Sequence, residues 1–331
     1  MTLLDIFLNR HDRLRSGWRF AIFAALYYSA ATATAVTVYA LAAHRNPAAG
    51  ARLAGWLNYL LSFLILFVPA VLLGWGCGRL LEDLPWRALG WTTHRGWLRD
   101  FGLGSLVGAA ALTLAALVAT VCGGFRFGFN TALAGRAFVK TFFGGAGVYV
   151  LLAAGEEALF RGYPLQTMLR ALPFLVAVLP STLLFAAGHL YNPNVPRDYL
   201  LAVQFVNTAL AGVWLAVGYW RTRSMWLPLG LHWAWNWTMG SLLGLPVSGI
   251  TSLTRAPLLR ATDRGPVWLT GGAYGLEGGL ACTVALIAAT AFIWRTTWLE
   301  PVAELKPYTD GERPKAAARD EVALRRALQA N

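Results

Sequence analysis

The chain is short of charge. Only 13% of its 331 residues are Asp, Glu, Lys or Arg, while 57% are hydrophobic. That balance excludes an ordinary soluble domain and reads as a polytopic membrane protein. Acidic residues are the scarcer sign, 16 against 28 Lys and Arg, for a net charge of +12. In so apolar a chain the excess is a membrane signal before it is a nucleic-acid one, and no nucleic-acid partner is expected. Cysteine is rare: Cys77, Cys122 and Cys282 are scattered through or at the ends of apolar stretches. They show neither disulfide arithmetic nor metal spacing and read as packing residues. No small-residue cleavage pattern follows the first long apolar stretch, so it reads as a span and not as a removable signal. No Ser or Cys sits in a recognisable nucleophile setting, which disfavours a serine or cysteine mechanism. Internal repeats and low-complexity tracts are missing as well.

What the chain does have is long apolar runs. Eight are long enough to span: roughly 18–43, 53–78, 101–123, 139–160, 173–191, 199–220, 225–243 and 276–298. The expected fold is all-α, with about eight transmembrane helices. With the N-terminus inside, most of the 28 Lys and Arg fall on the inner side, so both termini are expected to be cytoplasmic.

Around this membrane domain, taken as 18–299, the flanks read differently. Residues 1–17 form an expected interfacial segment, with a short amphipathic helix over 1–16. There Leu3, Leu4, Ile6, Phe7 and Leu14 face lipid, while Arg10, Arg13 and Arg15 meet anionic head groups. Residues 300–331 form a polar cytoplasmic tail whose end, Asp320 to Leu328, has helical periodicity. The basic loop 79–99 carries Trp86, Trp91 and Trp97, as suits a membrane interface. Small residues from Gly102 to Thr120 allow close helix approach in the third span. Gly162 and Pro164 predict a kink or break after the fourth. The connection 244–275, with Pro246, Pro257, Pro266 and a glycine cluster at 271–275, is either an outer loop or a re-entrant element.

Charged groups within the apolar runs carry the functional signal. Glu156 and Glu157 are adjacent in a stretch that otherwise reads as a membrane helix, where acidic side chains need a partner. Arg161, four residues on, shares the helix face of Glu157. Glu156, rotated by about 100°, has no obvious local counter-ion and is a candidate general base. Phe185 and His189 are four apart on the fifth span, as are His232 and Asn236 on the seventh, and Gln204 and Asn207 lie on the sixth. Each has a plain structural reading: a hydrogen-bonded core histidine, a pinning ion pair, an interhelical amide bond. Together, two carboxylates, two imidazoles and a carboxamide are less costly in one shared polar cavity than apart. Such a cavity suits hydrolysis. Glu156 accepts a proton from water, His189 orients or shares it, and His232 with Asn236 donates hydrogen bonds to a tetrahedral oxyanion. His189, His232 and a glutamate also permit a zinc site, although the His-Glu-x-x-His signature is absent. A binding, immunity or scaffold protein that keeps the polar cluster without using it, and an ion pathway lined by the same groups, are the remaining alternatives.

Glu156-Glu157-x-x-x-Arg161, Phe185-x-x-x-His189 and His232-x-x-x-Asn236, in that order on separate spans, resemble the CPBP family of CAAX proteases and bacteriocin-processing enzymes. The motif core covers about 140–243, and the Leu-Arg-Ser-Gly-Trp-Arg segment at 14–19 is similar to bacterial members. The resemblance implies an intramembrane glutamate protease of a bacterial inner membrane. Its substrate would be a peptide or protein in or at the bilayer, and it would need no cofactor. It assigns Glu156 to water activation, His189 as its partner, His232 and Asn236 to the oxyanion site, and Glu157, Arg161 and Phe185 to supporting it. Counting along the spans sets His189 near the outer end of one helix and His232 near the inner end of another, so a common site requires tilted, uneven helices.

Overall fold

Apolar runs with no water to bond to must satisfy their backbone internally, and the helix does so within one segment. The computed structural model describes residues 4–45, 55–133, 135–252 and 256–312. Its main helices are α1 (Ser16–Arg45), α2 (Gly55–Glu82), α3 (Trp97–Val121), α4 (Gly145–Phe160), α5 (Tyr163–Ala171), α6 (Phe174–Gly188), α7 (Leu200–Thr222), α8 (Trp226–Trp237) and α9 (Leu280–Arg295). All eight apolar stretches are helical. Six of them are long and apolar enough to cross a membrane among the described residues, the fourth being the interrupted run Arg136–Ala171. The other two are short: α9, and α8 with the π-helical turn Thr238–Leu242 that extends it.

The expected break after the fourth span falls at Arg161–Gly162. Chain direction changes there, and α5 restarts with Pro164 in its first turn, where a missing N–H costs nothing. Gly162 packs so tightly that a Cβ would overlap the Ala158 carbonyl oxygen.

Small residues set the closest contact in the bundle. A Cβ at Gly104 or Gly108 of α3 would collide with the Leu227 or Leu231 carbonyl of α8, and one at Gly230 with the Phe101 carbonyl of α3. The two backbones therefore touch, as the run of small residues predicted. Helix α8 is also laced to the start of α4. Trp233 Nε1 donates to the Ala146 carbonyl at 2.9 Å and Trp237 Nε1 to the Phe142 carbonyl at 3.1 Å. Asn207 makes the expected interhelical bond, accepting from Thr283 Oγ1 of α9 at 2.6 Å, and both amides also bond to the turns before α9. Gln204 reaches Tyr274 Oη at 3.0 Å, and Asn207 reaches the Glu277 and Gly279 carbonyls at 2.8 and 2.9 Å.

Several features depart from expectation. A two-stranded antiparallel ribbon joins β1 (Phe125–Phe129) to β2 (Leu259–Asp263), with Phe125 opposite Asp263 and Phe129 opposite Leu259. The 244–275 connection supplies β2 and several single turns, and its Val247–Ile250 bridge turns onto the bundle. In place of an amphipathic helix over 1–16 there is one turn, Leu4–Phe7, and a bridge between Leu8 and Leu14; residues 1–3 lie outside the described residues. Arg13 is buried and does not meet lipid head groups, and Arg19 is buried as well. Arg13 pairs with Asp83 at 2.9 Å, and Arg19 with Glu82 and Glu312. Glu82 also accepts two bonds from Arg170, both 2.9 Å. This is cheaper than leaving either arginine unpaired in a packed helix bundle. The tail is docked as far as Glu312, with Arg87–Glu304 at 2.6 Å and Arg223–Asp310 at 3.3 Å. Its expected helical end, 320–328, lies outside the described residues. Of the three interfacial tryptophans, Trp86 is exposed. Trp91 and Trp97 instead pack on Trp226, with ring centroids 6.2 and 4.5 Å away.

Candidate active site

The polar groups of three separate spans meet because α4, α6 and α8 converge. A cavity of about 390 Å³ opens between them and is lined by Glu156, Phe185, His189, His232 and Asn236. Glu157 and Arg161 stand behind its wall, 0% and 2% exposed at their side chains. All seven positions singled out in the sequence thus belong to one cluster, five on the cavity and two supporting it. The difference in level expected from counting along the spans disappears. His189 ends α6 in a short 3₁₀ turn, and the Phe185 ring lies 4.5 Å from its imidazole and 6.2 Å from that of His232.

Glu157 is the hub. Its Oε1 lies 2.8 Å from His232 Nδ1 and 3.2 Å from Arg161 Nη1. Its carboxylate is therefore shared between an imidazole on α8 and the cation one turn along its own helix. The Arg161 guanidinium sits 4.4 Å from the Phe185 ring centroid, a cation–π contact that completes its burial. Phe185 thus touches Arg161, His189 and His232, which is why an aromatic is useful at that position.

The histidine tautomers follow from their partners. His189 Nδ1 lies 2.8 Å from the Phe185 carbonyl. A carbonyl can only accept, so Nδ1 donates and Nε2 is left as the cavity-side nitrogen. His232 Nδ1 likewise donates to Glu157, which turns Nε2 toward Glu156 Oε2 at 3.6 Å. Glu156 itself is 29% exposed at its side chain, and its Oε2 has no hydrogen-bond partner among the described residues. The nearest imidazole to Glu156 is therefore His232, whereas the motif assignment paired it with His189. Among the described residues no three His, Cys, Asp or Glu side chains are grouped as a metal-ligand set.

Sequence reasoning missed the far wall of the cavity. Glu277, next to the Gly271–Gly275 turns, lines it and orders the wall. Glu277 Oε1 accepts from Trp235 Nε1 at 2.9 Å, and its Oε2 accepts from the Ser248 N–H and hydroxyl, both at 2.7 Å. Asn192 Nδ2 donates to the Ser248 carbonyl at 3.1 Å. A signal was present: Glu277 is an acid just inside the eighth apolar run, 276–298, as Glu156 is in the fourth. Tyr27 and Tyr149 also line the cavity, and nothing in their local sequence marks them.

Residues 138–238 match the family model for type II CAAX prenyl endopeptidase Rce1-like proteins. No curated protein and no solved structure matches the chain. The matched stretch runs from the turn before α4 to the end of α8 and contains every residue of the Glu156–Asn236 cluster. The stretch that carries the cluster is thus similar to CAAX prenyl endopeptidases, in a chain with six helices long and apolar enough to cross a membrane among the described residues.

Proposed function

We propose that this protein is an intramembrane endopeptidase that uses a water activated by Glu156, without a metal. The observation that carries the reading is Glu156 Oε2, buried without a hydrogen-bond partner among the described residues and 3.6 Å from His232 Nε2, on a side chain that lines the cavity beside a Glu157 whose proximal oxygen is fully engaged. One carboxylate is held in place and the other is available.

In the proposed reaction Glu156 takes a proton from water, and the hydroxide attacks the scissile carbonyl carbon. His189, with Nδ1 fixed on the Phe185 carbonyl, presents Nε2 as an acceptor that orients this water. The carbonyl oxygen becomes an oxyanion that accepts hydrogen bonds from the Asn236 amide and from His232 Nε2–H. In that role the His232 ring carries a proton on each nitrogen, and the two glutamates flank it. Collapse of the tetrahedral intermediate breaks the C–N bond, and Glu156 returns its proton to the leaving amine.

The substrate is a peptide or protein held in or at the bilayer: a lipidated C-terminus, a leader or a membrane-spanning segment. The Lys and Arg distribution supports cytoplasmic termini, and the likeness of residues 14–19 to bacterial members supports a bacterial inner membrane location.

The test is cleavage of a panel of prenylated and leader-type peptides in liposomes, with and without chelator. Wild-type cleavage that survives chelator and is lost in Glu156→Gln supports the reading. Cleavage abolished by chelator and restored by Zn²⁺ replaces it with a metalloprotease. No wild-type cleavage, on a panel that another family member cuts, favours a binding or immunity role.

A further inference from the structure

Three cavity-lining groups have no part in the chemistry above: Tyr27 on α1, Tyr149 on α4 and Trp214 on α7. Each is 1% exposed. Tyr27 Oη, Tyr149 Oη and Trp214 Nε1 have no hydrogen-bond partner among the described residues. The three atoms are enclosed in the cavity wall with almost no accessible surface of their own, and buried polar groups are almost always paired, so three unpaired ones around one cavity point to a partner that reaches them as it enters. All three carry a hydrogen to give, and the indole N–H can do nothing else. The complementary ligand is therefore an acceptor. Glu156 and Glu277 line the same space, so an anionic acceptor is repelled and a neutral one fits.

A peptide backbone offers such acceptors at regular intervals. Tyr149 and Glu156 are seven residues apart on one helix, two turns, which places them on the same face about 10.5 Å apart along the axis. An extended peptide covers that distance in about three residues. The Tyr149 hydroxyl lies over Gly240, where any Cβ would overlap it, so the π-helical turn after α8 leaves room for that oxygen.

Building on the endopeptidase reading, we propose that Tyr27, Tyr149 and Trp214 are positioning residues that hold the backbone carbonyls of an extended substrate lying along α4. The scissile bond is at Glu156, and the Tyr149 contact falls about three residues away. Two of the three donors, Tyr149 and Trp214, lie in the stretch that matches the family model, and Tyr27 comes from the N-terminal helix.

Tyr27→Phe and Tyr149→Phe test this, because each removes an oxygen with no protein partner and keeps the ring. The readouts are kcat/KM on a peptide the wild type cuts, binding of that peptide in a Glu156→Gln background, and Tm in detergent. Each Phe variant is expected to lower kcat/KM about 5- to 30-fold, mainly through KM, with Tm unchanged or raised. Replacing the substrate amide about three residues from the cut by an ester, a weaker acceptor, is expected to slow the wild type and not Tyr149→Phe. Unchanged kcat/KM and binding in both variants overturns the proposal, as does a loss that tracks a fall in Tm. Absence of wild-type binding to every peptide overturns it too. If Glu156→Gln still cleaves while the Phe variants bind weakly, the catalytic reading fails and the positioning role stands.

Discussion

At the scale of single residues, the adjacent glutamates separate stability from chemistry. Glu157 is fully buried and shared by His232 and Arg161, so its charge is structural. Glu157→Gln is expected to lower the unfolding free energy by about 3–5 kcal/mol, the cost of stranding a buried cation, measured by thermal unfolding in detergent. Glu156→Gln has the opposite profile: an unchanged Tm and a cleavage rate reduced by about 10²- to 10⁴-fold, the range of a positioned general base. The Glu157–Arg161 pair was legible from its four-residue spacing. The contact between His232 and Glu157 was not, since it spans 75 positions and depends on how α8 is seated. The donors Tyr27 and Tyr149 were illegible for a related reason: a tyrosine in an apolar helix carries no local sign of whether its hydroxyl is paired.

Helices were the most legible level, because apolar length alone decides them in a membrane. The break at Gly162–Pro164 and the close approach permitted by the small residues of α3 were readable too, since both are local steric facts. The ribbon was not. Its strands, Phe125–Phe129 and Leu259–Asp263, are five residues each and lie far apart in sequence, so even the alternation of Phe125, Phe127 and Phe129 had no visible partner. The α3–α8 contact yields a sharp prediction. Gly108→Val places methyls where the Leu231 backbone lies, so α8 must shift and carry His232 with it. Both Tm and cleavage are expected to fall together, whereas Gly102→Val, which meets nothing within 4 Å, leaves both unaltered. Parallel cleavage and unfolding assays on the two variants check this.

Over the whole molecule, a second polar centre lies apart from the cavity. Glu82 holds Arg19 and Arg170, and Glu312 reaches back to Arg19 and Asn9, so the start of α1, the end of α2, α5 and the docked tail share one buried network. Glu82→Gln leaves two buried arginines short of charge and is expected to lower Tm substantially. Glu312→Gln is expected to be milder, because Arg19 keeps Glu82; differential scanning of the two variants decides it. None of this was visible in a charge count, which assigns arginines to a side of the membrane and not to partners. The origin of the cavity walls has a further consequence. The cutting groups come from the stretch that matches the family model, but Tyr27, Tyr28 and Leu66 come from before it, and Ser248, Glu277 and Leu286 from after it. The mould is only partly encoded with the scissors: Tyr149 and Trp214 sit in the matched stretch, and the remaining wall comes from its flanks. Exchanging the flanks between two such chains should therefore retarget the cut while leaving its chemistry intact.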